Sequence, residues 1–307
     1  MNELCNIDGC IVARERATVP VMDRGFLFGD SVYEVMRTHA GVPFAWPEHL
    51  ARLRASADGL GFPPGPDDDV LVDRIAATLA EARPGPGEEA YIRVIVTRGD
   101  GTAPSIDLAY APGPPRCVIL VRPLPAPPAA AVRLALVERR RVDRRALDPA
   151  LKTGNYLNNV LALAEARRAG ADDCVMLNTE GAVTEASTAN VFIVQRGRIA
   201  TPPLHAGILA GVTRALLLAL CARLEVPAEE RSLSADDLRS ADEIFLSSTL
   251  RDVLPVTALD GRPVGRGDVG PLTARLAQAF AEWVETQTRA IYEPRWRAAI
   301  ERARRGT

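Results

Sequence analysis

Lysine is almost missing from this chain: of 37 basic residues, 36 are arginine and the one lysine is Lys152. A guanidinium solvates a surface and pairs with carboxylates as well as an ammonium does, but it stays protonated and is no nucleophile. Schiff-base chemistry therefore has one lysine open to it. Histidine is also scarce. His39, His49 and His205 show no metal-ligand spacing, which leaves them as structural or surface residues. The cysteines, Cys5, Cys10, Cys117, Cys174 and Cys221, are odd in number and far apart. With no C-x-x-C pair they indicate neither a disulfide framework nor a zinc site, as suits a reducing cytoplasm.

Other absences narrow the class further. No apolar run approaches the roughly 18 to 20 residues of a membrane span, and the N-terminus lacks a cationic segment followed by an apolar one. The chain reads as soluble and cytoplasmic, with no membrane partner. A net charge of −2 without a basic block gives no footprint for nucleic acid. There is no G-x-G-x-x-G, no P-loop and no repeat of fixed period, so nucleotide cofactors and solenoids lack support. A small-molecule partner is the default.

At 307 residues and 47% hydrophobic, the chain is near the size at which one core gives way to two. Pro123, Pro125, Pro127 and Pro128 stiffen residues 123–130 into a candidate linker. The expected organisation is a small α+β domain over 1–122 and a larger C-terminal domain over 131–307 that carries Lys152. Strands are predicted at 92–97 and 117–121 and helices at 47–60 and 69–82 in the first. In the second the pattern predicts strands at 132–137, 174–177 and 243–247, a hairpin at 191–194 and 198–201, and helices at 155–169 and 212–224. The tail from about Arg289 reads as a terminal helix.

Several positions are candidates for chemistry. Lys152 precedes Thr153-Gly154-Asn155, which looks like a helix entry, so its side chain would stand at the end of an extended segment. The run from Ala206 to Arg214 carries Gly207 and Gly211 into a leucine-rich helix. It is either a phosphate cradle of free N–H groups at a positive helix end or an ordinary junction. Ser247-Ser248-Thr249 offers hydroxyls or simply ends a strand. Glu185, among small and hydroxylated residues, is either a solvated loop carboxylate or the partner of a pyridinium nitrogen, which it would keep protonated.

Four separated segments resemble those of the class IV aminotransferases, which include branched-chain and D-amino-acid aminotransferases and aminodeoxychorismate lyases. They are DRGFLFGDSVYEVMR (23–37) with EHLARL (48–53), KTGNYLNNVLALAEA (152–166), VTEASTANVFIV (183–194), and GILAGVTR (207–214) followed by SSTLRDVLPV (247–256). The resemblance implies a two-domain α+β fold of the fold-type IV class, pyridoxal 5'-phosphate as cofactor, an amino acid and a 2-oxo acid as substrates, and a homodimer. It implies that Lys152 is the Schiff-base lysine and proton shuttle, Glu185 the partner of the pyridine nitrogen, and Arg52 the phosphate-binding arginine. Backbone N–H groups of Val212 and Thr213, with Thr249, would assist Arg52, and Tyr156 would bond the phenolic oxygen of the cofactor.

Substrate choice rests on positions that disagree. Tyr156 matches branched-chain enzymes. Tyr33 and Arg98 look like part of the carboxylate trap of D-specific enzymes, but the histidine expected two residues beyond the arginine is replaced by Asp100, followed by Gly101. Arg93, alternating with Ile92 and Val94, would either pair with the distal carboxylate of glutamate or 2-oxoglutarate or form a salt bridge on the outer sheet face. Leu250 joins Tyr33, Arg93 and Arg98 as a candidate substrate contact. The expectation is an aminotransferase for L-amino acids of branched or other apolar type, with D-amino-acid transamination and aminodeoxychorismate lysis as the alternatives.

Overall fold

The computed structural model describes all residues except Pro64, Pro127, Pro128, Gly306 and Thr307. Two residues of the expected linker, Pro127 and Pro128, thus lie outside the described residues. The chain forms two compact units, Met1–Ala126 with Leu151–Asn155 and Val284–Thr307, and Pro127–Ala150 with Tyr156–Trp283.

The first unit begins with β1 (Leu4–Ile7), β2 (Cys10–Ala13), α1 (Arg24–Phe28), β3 (Ser31–His39), β4 (Val42–Pro43), α2 (Trp46–Gly59), α3 (Asp68–Ala82), β5 (Ala90–Thr97) and β6 (Arg116–Pro123). Its six strands form one antiparallel sheet in the order β2-β1-β6-β5-β3-β4. Alternation places Val32, Met36, Ile92, Val94, Ile119 and Val121 in the core, as period two demands. Leu50 and Leu53 of α2 and Leu71, Val72 and Ile75 of α3 are buried with them. Glu34 and Thr38 share the parity of Val32 and Met36 and are buried polar residues. The opposite parity holds Tyr33, Val35 and Arg37, whose register partners are Ile95, Arg93 and Tyr91.

The second unit contains β7 (Val132–Leu136), α4 (Leu157–Arg168), β8 (Asp173–Leu177), β9 (Val183–Ala186), β10 (Asn190–Gln195), β11 (Arg198–Thr201), α5 (Val212–Arg223), β12 (Ala228–Glu230), α6 (Ala235–Arg239), β13 (Glu243–Ser248), β14 (Asp252–Leu259) and β15 (Arg262–Pro263). Strand order is β12-β11-β10-β13-β14-β7-β8-β9, and a pairing of Asn190 with Glu185 brings β9 back onto β10 and closes a ring. All of β8 is buried because Val175 and Leu177 face one core and Cys174 and Met176 another. Ala162 and Ala166 of α4 complete that second core, their small side chains allowing close approach.

The chain ends with α7 (Pro271–Gln287), a π turn over Thr288–Tyr292, and α8 (Glu293–Arg305). From the π turn onward this is the expected terminal helix, and it packs on α3 of the first unit. Trp296 meets Trp46 edge-on at 5.7 Å, and the Tyr292 hydroxyl donates to Glu48 Oε1 at 3.1 Å. No helix among the described residues is long and apolar enough to cross a membrane.

Grouping of Leu151–Asn155 and of Val284–Thr307 with the first unit differs from the expected single cut, which put Lys152 in a C-terminal domain. For 151–155, backbone bonds are the reason. Tyr33 N–H donates to Lys152 O at 3.0 Å, Gly154 N–H to Ser31 O at 2.7 Å, and Val32 bridges Thr153 in antiparallel sense. This short segment thereby extends the sheet alongside β3.

Candidate active site

Lys152 is fixed at its backbone from two sides. Its carbonyl accepts from β3, and its N–H donates to Ser56 Oγ of α2 at 3.0 Å. A Cβ at Gly154 would fall 2.2 Å from Ser31 Oγ and 3.3 Å from Gly29 O, so a larger residue would have to displace the serine hydroxyl. The Lys152 ammonium lies 4.4 Å from the centroid of the Tyr33 ring. The guanidinium of Arg93, diagonal to Tyr33 across β3 and β5, lies 4.0 Å from the same centroid. An amine and a guanidinium thus share one aromatic ring, whose faces attract cations. Arg93 Nε is buried with no hydrogen-bond partner among the described residues.

Helix α2 turns a second basic group toward β3. Arg52 Nε donates to Glu34 Oε1 at 2.6 Å and Nη2 to Glu34 Oε2 at 2.8 Å. His49 Nδ1 lies 2.7 Å from the same Oε2. Burial raises the Glu34 pKa, but the charge and hydrogen bonds of Arg52, with His49, outweigh it and hold the carboxyl at about 2. Burial keeps His49 below the ordinary imidazole range, with the Arg52 and Lys152 charges acting in the same direction and Glu34 against it.

Within the second unit Glu185 stands on β9 with both carboxylate oxygens engaged. Arg141 Nε donates to Oε1 at 2.9 Å and the Leu209 N–H to Oε2 at 3.0 Å. Arg141 also reaches the amide oxygens of Asn158 and Asn159, and Asn159 donates to Ser187 O at 2.8 Å. The loop bonded to Glu185 leads directly into α5. There Asn190 donates to Leu209 O at 3.0 Å, and a Cβ on Gly211 would fall 2.0 Å from Asn190 Oδ1. Gly211 is the N-cap of α5 and offers no side-chain cap to the first-turn amides, which include those of Val212 and Thr213.

Tyr156 is the N-cap residue of α4, while Thr249 and Leu250 lie in the turn that joins β13 to β14. Arg98 is committed elsewhere: Nε donates to Asp30 at 2.8 Å and the two Nη atoms to Gly61 O and Leu60 O at 2.9 Å, with Phe62 stacked on the guanidinium. Asp100 is held by Arg116 in an ion pair with bonds of 2.7 and 3.1 Å. Sequence reasoning missed Glu34, Ser56 and Arg141. Glu34 stands where the alternation of β3 asks for an apolar residue, and that mismatch was its signal; Arg141 sits in an arginine run that gives none.

Residues 31–259 match the profile of the amino-transferase class IV family. The chain is a class IV aminotransferase. Among its relatives, the branched-chain-amino-acid aminotransferase of Salmonella typhimurium is 34% identical over 288 residues, covering 89% of this chain and 90% of that protein. The D-alanine aminotransferase of Bacillus licheniformis is 32% identical over 283 residues, covering 92% and 97%. The crystal structure of the branched-chain amino acid aminotransferase of T.th., complexed with N-(5'-phosphopyridoxyl)-L-glutamate, superposes with a TM-score of 0.85 at 29% identity, covering 96% of this chain and 97% of that one.

Ser247 Oγ is buried without a hydrogen-bond partner among the described residues, as is Arg93 Nε. The uncapped amides of α5 suit a phosphate, Glu185 suits a ring nitrogen, and Lys152 supplies an amine. Taken singly, these groups suit the separate parts of a phosphorylated pyridine aldehyde. Among the described residues no group of three or more His, Cys, Asp or Glu is placed to hold a metal ion.

Proposed function

We propose that this aminotransferase moves the amino group of an L-amino acid with a branched or other apolar side chain to a 2-oxo acid such as 2-oxoglutarate, with pyridoxal 5'-phosphate carried on Lys152. The observation behind this reading is the Tyr33 ring with Lys152 at 4.4 Å and Arg93 at 4.0 Å, an amine nucleophile beside an anion receptor.

When bound, the cofactor supplies an electron sink for negative charge at the substrate Cα. The protein does the rest. Arg52, the Val212 and Thr213 amides and Thr249 hold the phosphate, and Tyr156 donates to the phenolic oxygen. Glu185, its carboxylate aimed by Arg141 and Leu209, pairs with the ring nitrogen. Lys152 Nζ takes the Cα proton and returns it on the other side of the transfer, with its backbone anchored to β3 and α2 so that only the side chain moves. Arg93 pairs with a substrate carboxylate, and Tyr33 and Leu250 line the substrate.

Commitment of Arg98 to Asp30 and two carbonyls favours the L-type reading over a D-type trap built on it. Similarity to D-alanine aminotransferases keeps the D-type reading as the second one. A cytoplasmic homodimer belongs to the same proposal, supported by exposed Leu157, Val160 and Leu161 at i, i+3, i+4 spacing on α4. Adding amino acids singly to the yellow holoenzyme tests the reading. L-leucine, L-valine and L-glutamate should bleach it faster than D-alanine or D-glutamate, and the reverse order would overturn the stereochemical assignment.

A further inference from the structure

We propose that Glu34 and His49 are positioning residues for Arg52, a buried bracket that sets the angle at which its guanidinium meets the cofactor phosphate. The inference rests on the reading of Arg52 as the phosphate holder. Glu34 is fully buried and occupies a position on β3 between Val32 and Met36, both also at 0% exposure. A fold needs no charge there. Burying an ion pair costs several kcal/mol of desolvation per ion, and apolar replacements are often as stable or more so. Retention of the carboxylate is better explained by what it holds than by stability.

What it holds is one edge of a guanidinium. Glu34 takes Nε and Nη2 at 2.6 and 2.8 Å, a side-on bidentate pair. The planar group has a second, end-on edge formed by Nη1 and Nη2, and fixing the first edge fixes the direction of the second. Arg52 would otherwise spread over many rotamers. His49, one turn earlier on α2, closes the bracket at Glu34 Oε2, 2.7 Å away. Being buried and neutral, it orients the carboxylate without drawing its charge away from Arg52. Two side chains of α2 thus converge on one carboxylate of β3, and the same helix anchors the Lys152 backbone through Ser56 one turn further on.

The bracket carries an electrostatic consequence. Glu34 neutralises Arg52, so the pair attracts a phosphate through aimed donors more than through net charge. Removing the carboxylate therefore has opposed effects: Arg52 gains uncompensated charge and loses its direction. Of the two, the loss of direction dominates.

The experiment compares equilibrium affinities of the cofactor-stripped protein for pyridoxal 5'-phosphate and for pyridoxal, in wild type, Glu34→Gln, Arg52→Ala and the double variant. Glu34→Gln should lose roughly tenfold or more for the phosphorylated form and little for pyridoxal. It should add nothing further in the Arg52→Ala background, since it acts through that residue. A general structural defect would weaken both ligands and would add to Arg52→Ala, which overturns the proposal. Unchanged or tighter phosphate binding in Glu34→Gln, with Arg52→Ala impaired, overturns it while leaving the Arg52 reading intact. Unchanged binding in Arg52→Ala overturns both. If Glu34→Gln fails to fold, His49→Gln keeps the ion pair and should show a smaller loss, again confined to the phosphorylated ligand; equal losses for the two ligands would contradict the bracket.

Discussion

Replacing Arg141 by leucine removes the side-chain donor that holds Glu185 Oε1 and leaves a carboxylate in the interior of the second unit. The two side chains are 8% and 7% exposed and 2.9 Å apart. Breaking such a pair by deleting one partner costs about 3–5 kcal/mol, because the remaining charge is buried without compensation. Here the Leu209 N–H stays on the other oxygen at 3.0 Å, and the bonds lost to Asn158 and Asn159 are long. The expected loss is therefore near the lower end, about 3 kcal/mol, or roughly 6–12 °C in Tm for a unit of this size. Thermal unfolding of both proteins without cofactor is the assay, since a bound ligand would add its own stabilisation. Replacing Arg141 and Glu185 together by leucine should recover much of the loss. A loss below about 1 kcal/mol would refute the reasoning.

Arg93→Ala should slow the glutamate half-reaction by roughly 10- to 100-fold while leucine changes only a few-fold, and it should leave Tm nearly unchanged, because Arg93 makes no ion pair among the described residues. Equal losses for both substrates would place Arg93 elsewhere. Gly154→Ala forces a Cβ to 2.2 Å from Ser31 Oγ and should cost about 1–3 kcal/mol and loosen the cofactor, as unfolding and cofactor-release curves would record. His39 is held at about 4 by burial, aided by Arg37, so in this window the unfolded chain binds more protons. Stability from this residue is present above the ordinary value of 6.5 and is lost as pH falls toward 4, by at most about 3 kcal/mol; His39→Phe should flatten that part of the curve.

Much of the architecture could be read from periodicity. The helices over 46–59 and 68–82 and the strands over 90–97 and 116–123 lie within a few residues of their expected bounds, since each has a one-sided apolar pattern and clear stops. Several elements escaped, β3, α1, β9 and α6 among them, and for three others the reason is identifiable. The β1–β2 hairpin is four residues per strand, too short to show a period; β14 carries Pro255; and α7 follows a glycine-rich stretch that masks its start. The unit boundaries escaped because Lys152 joins β3 through backbone bonds, which carry no side-chain signature. The same distinction applies at the site. Lys152, Arg52 and Glu185 could be singled out as candidates from residue type and motif; of the groups bonded to them, Arg141 and Ser56 became visible only through geometry, and Glu34 left only a break in the alternation of β3.

The central claim is that Lys152 carries the cofactor, and the composition makes it unusually easy to test. Reducing the holoenzyme with borohydride and mapping the modified peptide by mass spectrometry asks which amine was bound. With a single lysine in the chain, the only competitor is the N-terminal amine of Met1, which is paired with Glu88. One phosphopyridoxyl group is expected on Lys152, and none in Lys152→Arg. An unmodified Lys152 in protein that still binds the cofactor and transfers amino groups would contradict the claim.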